Sequence, residues 1–289
     1  MILVTGATGR VGYRLMEALA DARADTTAMV RVAAKAADLA GTPGHVVATL
    51  DAPPPAQVLR EFDRIFLLSP EIEEMAALET VFIDAVVAAG HRPHIVKVCA
   101  DGFQDPGCDV RSMRAHREVA RHLEAVGLPV TYLAAATYLE DLLDQAAEMR
   151  QTGELRAPAG HGRAGFVAVA DVAAAAARVL TTDGHEGATY VLTGPEALGY
   201  ANIAAKFADV FGWQVDYVNT PPERFRAMLL ENGLTPWQAD GAIERFDWIS
   251  QGGADSVTGT VRDLTGADPR PLPGWLSDAR EDFAEADLA

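Results

Sequence analysis

The segment Thr5-Gly6-Ala7-Thr8-Gly9-Arg10-Val11-Gly12 follows the apolar run Met1 to Val4 and precedes an amphipathic stretch from Val11 to Ala22. Three glycines at a spacing of three, set between a strand and a helix, constrain this chain more than any other feature. Glycine has no Cβ and reaches positive φ, so such a loop turns sharply and presents backbone N–H groups where a helix dipole favours an anion. The spacing G-x-x-G-x-x-G departs from the G-x-G-x-x-G fingerprint. The strand before it and the helix after it supply the context that favours a phosphate-cradling turn over a plain connection.

The same unit then repeats. Thr26 to Val30, Val46 to Thr49, Arg64 to Leu68, His94 to Val98 and Val130 to Leu133 are short apolar, β-branched runs that predict strands. Between them Ala33 to Leu39, Pro55 to Phe62, Glu71 to Ala89 and Ser112 to Val126 carry helical spacing. Strands alternating with helices imply crossover connections, hence an α/β fold with a Rossmann-type, doubly wound parallel sheet. With 289 residues, 49% of them hydrophobic, the chain can bury one such domain and a further region. We place the sheet domain at residues 1–135. Residues 136–289 are expected to form a smaller, mostly helical, substrate-covering region interleaved with late strands and helices of the same unit. There we expect a helix from Asp171 to Leu180 capped by the Asp171 carboxylate, a strand at Thr189 to Leu192 and a helix at Tyr200 to Phe211. A strand at Trp213 to Val218 follows, then two helices between Pro222 and Ile249 broken near Gly233 and Pro236. The acidic tail from Asp278 reads as a solvated helix end.

Charge and composition narrow the function classes. Lys and Arg total 24 against 41 Asp and Glu, a formal charge of -17 that opposes docking on nucleic acid or anionic lipid. No stretch reaches about eighteen apolar residues, and the glycine loop begins by residue 6, so no membrane span or leader is expected and the location expected is cytoplasmic. Cys99 and Cys108 are too few for a disulfide framework or a zinc site, and His91-Arg92-Pro93-His94 reads as a polar loop entering a strand.

The end of the second strand selects the dinucleotide. A chain that binds NAD places an acidic residue there, about twenty residues past the loop, to hold the ribose hydroxyls. Here the strand ends Ala28-Met29-Val30-Arg31, with Lys35 one turn later. A cation at that position suits a 2′-phosphate, with Arg31 stacking on adenine or forking to phosphate oxygens and Arg10 adding a third charge. NADPH/NADP+ is therefore the expected cofactor, against the plainer alternative of an exposed surface arginine.

TGATGRVG, the AMVR strand end, VKVCADG at 96 to 102 and HREVARHLEAVGLPVTYL at 116 to 133 together resemble an NmrA-like member of the atypical short-chain dehydrogenases/reductases. The likeness continues through APAGHGRAGFVAVADVA at 157 to 173 and YVLTGPEALGYANIA at 190 to 204. It implies NADP(H) binding through Gly6, Thr8, Gly9, Arg10, Val11 and Arg31. It also implies a nicotinamide pocket lined by Leu67 and Ser69 after the fourth strand, Ala100 after the fifth and Tyr138 after the sixth.

The departures from that family bear on chemistry. Its typical reductases protonate substrate oxygen with a tyrosine made more acidic by a lysine four residues later. None of Tyr13, Tyr132, Tyr138, Tyr190, Tyr200 and Tyr217 has lysine at that distance. Motif alignment puts His116 where the superfamily's lysine tends to lie; it would bond the nicotinamide ribose or relay a proton, or else be a helix-surface histidine. After the sixth strand many members carry Arg-Pro, whereas this chain reads Ala134-Ala135-Ala136-Thr137-Tyr138, a smaller and more apolar wall. Cys99, with nothing beside it to lower a thiol pKa, reads as a small buried hydrophobe. Phe225, Met228, Trp237, Phe246 and Trp248 either sandwich a planar ring or, as aromatics at near-helical spacing more often do, form core.

An acceptor that carries off negative charge itself, such as a quinone, needs little help from a protein acid. The expected activity is therefore NADPH-dependent hydride transfer to a quinone-like or conjugated aromatic molecule, including a natural-product intermediate, with His116 and Tyr138 as the catalytic residues. The alternative is a non-catalytic NADP(H)-binding redox sensor acting through a protein partner. The expected partner is a small aromatic substrate, and a homodimer is the candidate assembly.

Overall fold

The computed structural model describes residues 1–39, 41 and 44–285. Its strands are β1 (Ile2–Val4), β2 (Thr26–Val30), β3 (Gly44–Val47), β4 (Arg64–Leu67), β5 (His94–Ala100), β6 (Val130–Ala135), β7 (Glu154–Ala157), β8 (Arg163–Ala164), β9 (Thr189–Leu192), β10 (Leu198–Gly199) and β11 (Asp216–Asn219). The helices of the first half are α1 (Arg10–Asp21), α2 (Ala56–Leu59), α3 (Met75–Ala88) and α4 (Arg111–Val126). Those that follow are α5 (Ala146–Thr152), α6 (Val169–Thr181), α7 (Tyr200–Phe211), α8 (Pro222–Glu231), α9 (Pro236–Ser250), α10 (Thr260–Thr265), α11 (Leu272–Asp278) and α12 (Arg280–Glu285).

The chain divides into two compact units, the first comprising residues 1–104, 112–134 and 169–191. Its seven-stranded sheet runs β3-β2-β1-β4-β5-β6-β9. The ladders of β1 with β2 and β4, β2 with β3, and β4 with β5 are all parallel. β1 to β3 step outward one way and β4 onward the other, so the order reverses between β1 and β4; at such a switch point ligands of doubly wound sheets bind beyond the strand carboxyl ends. β1, β4 and β5 are apolar almost throughout because both faces of a parallel sheet are covered. α1 shows the complementary pattern, burying Val11, Leu15, Met16 and Leu19 along one stripe, and packs against α6.

The second unit comprises residues 105–111, 135–168 and 192–289. It contains a parallel β7–β11 ladder and a short antiparallel β8–β10 pair. Its core is aromatic: Phe207 contacts Phe211, Trp213 and Phe283 at centroid distances of 5.6, 6.3 and 5.2 Å. α8 and α9 are the two helices expected around the Gly233 to Pro236 break. Thr235 starts α9 with a reciprocal capping box to Gln238, which satisfies two otherwise orphaned N–H groups.

Several local expectations shift. Ala33 to Leu39 forms only a single 3₁₀ turn, Ala33–Ala36, and the third strand lies at Gly44–Val47 rather than Val46 to Thr49. α6 begins at Val169, so Asp171 is the third residue of the first turn, not the cap; there its carboxylate still faces the positive end of the helix dipole. β7, β8 and β10 have no counterpart among the expected strands; β8 and β10, of two residues each, are too short to show alternation, whereas β7 alternates partly exposed Glu154 and Arg156 with buried Leu155 and Ala157. The acidic tail from Asp278 begins at the last residue of α11 and runs into α12, which is not simply solvated since its Phe283 is fully buried against Phe207; its last four residues lie outside the described residues. Among the described residues no helix is long and apolar enough to cross a membrane.

The HRPH stretch is a loop entering β5, and its second histidine is structural. His94 Nε2 lies 2.8 Å from the Thr131 hydroxyl, which itself donates to the His185 carbonyl at 2.5 Å. Since Thr131 spends its proton on His185, Nε2 of His94 is the donor. Burial holds the His94 pKa below its ordinary value; Arg64 and His185 push the same way and Glu186 opposes them. A histidine with a depressed folded pKa supports stability above the unfolded pKa, and that support is lost as pH falls through the lower, folded value. The melting temperature should therefore drop between about pH 7 and pH 5. His94→Gln, which keeps a donor, should flatten that drop; an identical pH slope in thermal melts of both proteins would refute the assignment.

Candidate cofactor and active site

The glycine loop occupies the carboxyl end of β1. Gly6 has φ +61°, and a Cβ there would lie 2.9 Å from the Leu68 carbonyl oxygen. Gly12 is tighter: its Cβ would stand 2.1 Å from the Gly6 carbonyl oxygen, an overlap no side chain survives. Gly9 is different, since a Cβ there meets only that same oxygen at 3.3 Å and otherwise faces open space. Gly6 and Gly12 thus shape the turn, and Gly9 keeps its outer surface low. Gly9 is also the residue before α1, and it makes no side-chain capping bond. A helix start without a side-chain cap keeps the positive end of its dipole for an anion. Thr8, Gly9 and Arg10 are exposed around this start, while Val11 is buried beneath it.

The neighbouring strand ends converge on the loop. The Thr5 hydroxyl donates to the Leu68 carbonyl at 2.9 Å and accepts the Leu68 N–H at 2.9 Å, tying the segment after β4 to the glycine turn. Leu67 closes β4 with no exposed surface, whereas Leu68 and Ser69 are partly exposed, so the accessible part of this edge is the pair after Leu67. Ala100 ends β5 and is also partly exposed. On the other side Arg31 follows β2 directly and Lys35 lies in the 3₁₀ turn beyond it, both exposed. Among the described residues neither has an acidic partner. That is notable in a chain carrying 41 acidic residues.

One cluster went unread in the sequence. Lys97, in the middle of β5, is fully buried, and its Nζ lies 2.9 Å from Glu79 Oε1 on α3, itself fully buried. Nζ also donates to the Val98 carbonyl at 2.6 Å, and the Ser69 hydroxyl donates to Glu79 Oε1 at 2.7 Å. A lysine inside the apolar run His94-Ile95-Val96-Lys97-Val98-Cys99, facing a helix whose only other acid is Asp84, was the available signal. Buried charges persist only when paired.

His116 lies on α4 and is 6% exposed, so the helix-surface reading of it is set aside. Tyr138 belongs to the second unit, where it follows β6 and forms an isolated parallel bridge with Val167. The other tyrosines are committed elsewhere. Tyr132 donates to the Ala120 carbonyl, Tyr217 donates to the Ala157 carbonyl, and Tyr190 bonds His185. Tyr200 is buried, which pushes its phenol above the ordinary range, and Tyr13 sits on α1. Cys99 is 2% exposed, and burial pushes its thiol up to about 12, which makes it an inert core residue.

In the second unit Phe225 is a buried core residue, and the partly buried Phe246 packs edge to face on it at 5.3 Å and lies 5.6 Å from Tyr200. Trp237 lies 5.8 Å from the Arg111 guanidinium. Arg111 clamps its loop to α9 through bonds to both Glu244 oxygens and to the Trp237 carbonyl. Trp248 lies over Gly253, where a Cβ would fall 2.0 Å from the ring.

The sequence profile of the NmrA-like family matches residues 1–249. The chain is 32% identical over 299 residues to a (4-alkanoyl-5-oxo-2,5-dihydrofuran-3-yl)methyl phosphate reductase of Streptomyces griseus, covering 98% of this chain and 99% of that protein. It is 30% identical over 273 residues to an NAD(P)H azoreductase of Xenophilus azovorans, covering 93% and 94%. An NADPH-dependent quinone oxidoreductase of Escherichia coli, solved in complex with NADPH, superposes with a TM-score of 0.86 at 29% identity over 97% of this chain and 100% of that one.

The glycine geometry separates two roles that substitution can distinguish. Gly12→Ala forces backbone apart and should cost roughly 2 kcal/mol, several degrees of melting temperature. Gly9→Ala, at an ordinary negative φ and with one contact at 3.3 Å to the Gly6 carbonyl oxygen, should melt close to the parent yet bind dinucleotide weakly. Equal melting losses in both variants would contradict this division.

Proposed function

The chain belongs to the NmrA-like family, and from that membership we propose that it is an NADPH-dependent oxidoreductase acting on a quinone-like or otherwise conjugated small molecule. The observation that carries the reading is the glycine turn at the start of α1, in which Gly6 and Gly12 leave no room for a Cβ and Gly9 keeps the outer surface low, with Arg31 and Lys35 following the adjacent strand end. These residues fit the cofactor. The helix-start N–H groups of the Thr8 to Val11 segment would hold the pyrophosphate, and the cations would suit a 2′-phosphate that an acidic residue there would repel. Arg10 adds charge at the same edge. Leu67, Ser69 and Ala100 form the nicotinamide side, Leu67 as the packing behind its partly exposed neighbours.

Bound NADPH supplies the hydride from C4 of its nicotinamide. The protein's part is to hold the acceptor there, exclude water and deliver one proton for each hydride, so that quinone, NADPH and H⁺ give quinol and NADP⁺. A quinone, an azo bond and an oxo-dihydrofuran bearing an alkanoyl group share one property. Each spreads the incoming electron pair onto oxygen or nitrogen, which lowers the demand on a protein acid. That property matches a chain without a tyrosine–lysine pair, whose buried Lys97 is engaged by Glu79. Tyr138, just beyond the end of β6, and His116, on α4, are each assigned to orient the substrate or supply the proton.

Purified protein should oxidise NADPH with naphthoquinone or a conjugated enone and leave an isolated ketone unreduced. Tight NADPH binding without turnover across that panel would refute the enzyme. In the same assay His116→Ala should lower turnover and flatten its dependence between about pH 5 and 8 while cofactor binding persists; an unchanged profile would remove the relay role.

Arg31→Glu should weaken NADPH binding at least tenfold, about 1.5 kcal/mol for a charged hydrogen bond, and leave NADH binding nearly unchanged. Equal losses of both by calorimetry would remove the 2′-phosphate assignment.

A further inference from the structure

The buried Ser69–Glu79–Lys97 cluster bears on how the nicotinamide end of the site is read. An ionised carboxylate only accepts hydrogen bonds, and a serine hydroxyl has one proton to give. Glu79 Oε1 receives two donors, Lys97 Nζ at 2.9 Å and Ser69 Oγ at 2.7 Å. Glu79 Oε2 is buried and has no hydrogen-bond partner among the described residues, so Lys97 and Ser69 are the donors this carboxylate has. The Ser69 proton is therefore committed inward. Toward the partly exposed side of the loop Ser69 presents lone pairs alone.

Ser69 is also fixed in place. It follows Leu68, whose N–H and carbonyl are both bonded to the Thr5 hydroxyl and whose carbonyl oxygen abuts Gly6. Its acceptor face is thus held rigidly at the β1–β4 switch point, beside the cofactor loop. We propose that Ser69 is a dedicated acceptor for the carboxamide N–H₂ of the bound nicotinamide, with Glu79 and Lys97 as positioning residues that keep its hydroxyl from turning outward. The assignment rests on the NADPH reading above and adds to it a recognition contact for the ring's orientation. A carboxamide offers a donor to this position, and a methyl ketone of the same shape does not.

Calorimetric titration with NADP⁺ and with its 3-acetylpyridine analogue, in which the amide nitrogen is replaced by methyl, tests this without turnover. The parent protein should prefer NADP⁺ by about tenfold, the size of one hydrogen bond left unmade. Ser69→Ala should bring the ratio close to one, and Ser69→Thr should restore it. The double variant Glu79→Gln with Lys97→Met leaves no unpaired buried charge, and the introduced side-chain amide offers either its oxygen or its N–H₂ to Ser69. It should bind NADP⁺ with the preference reduced. A preference that survives in Ser69→Ala overturns the acceptor role, and one undiminished in the double variant overturns the positioning role; in both cases the NADPH assignment stands. Failure of the parent to bind either nucleotide overturns the cofactor reading and the contact together.

Discussion

Gly12 meets the Gly6 carbonyl oxygen at a separation that admits no Cβ. Much of the first unit's ligand edge follows from that contact. It brings the first turn of α1 up against the end of β1, so the helix start and the strand end form one surface. The Thr5 hydroxyl then bonds both backbone groups of Leu68, and Gly6 leaves room for the Leu68 carbonyl. β1 and β4 are joined at their carboxyl ends in this way, at the point where the strand order reverses. The start of α1 and Ser69, held by Glu79, thus lie at the carboxyl ends of β1 and β4, and Arg31 follows the end of β2.

The electrostatics of that edge run against those of the chain as a whole. A net charge of -17 repels polyanions, yet Arg31, directly after β2, and Lys35, in the turn beyond it, stand exposed. Inside the sheet the situation is reversed. Lys97 is fully enclosed, and its charge is meaningful only through Glu79, because an isolated ammonium there would be costly. A hydrophobic pair of similar volume would serve stability at least as well. The pair's geometric consequence is that Glu79 Oε1 also accepts the Ser69 hydroxyl, at 2.7 Å.

The sequence made the sheet legible because its strands are contiguous apolar runs with glycine turns between them, and every strand of the first half lies within two residues of its expected place. The glycine loop was legible for the same reason: spacing and context are local. Three kinds of feature were not. Short pairings such as β8 with β10 involve two residues each and carry no periodicity. The Ala33 to Leu39 run has helical composition, yet only the 3₁₀ turn Ala33–Ala36 forms, since alanine propensity alone does not sustain a helix whose first turn buries no residue. The Glu79–Lys97 pair needs knowledge of which helix covers which strand. The anomaly of a lysine in a buried strand was visible, but its partner, 18 residues earlier, was not.

The central claim is that this edge holds NADPH so that hydride leaves it for a delocalised acceptor. Single-turnover oxidation of protein-bound NADPH deuterated stereospecifically at nicotinamide C4, mixed with a conjugated acceptor and followed by nicotinamide absorbance, addresses it directly. The absorbance should be lost completely, slowed by deuterium on one face of the ring and essentially unaffected by deuterium on the other. Persistence of the absorbance with NADPH bound, across quinone and enone acceptors alike, would contradict it and identify a protein that holds the dinucleotide without reacting it.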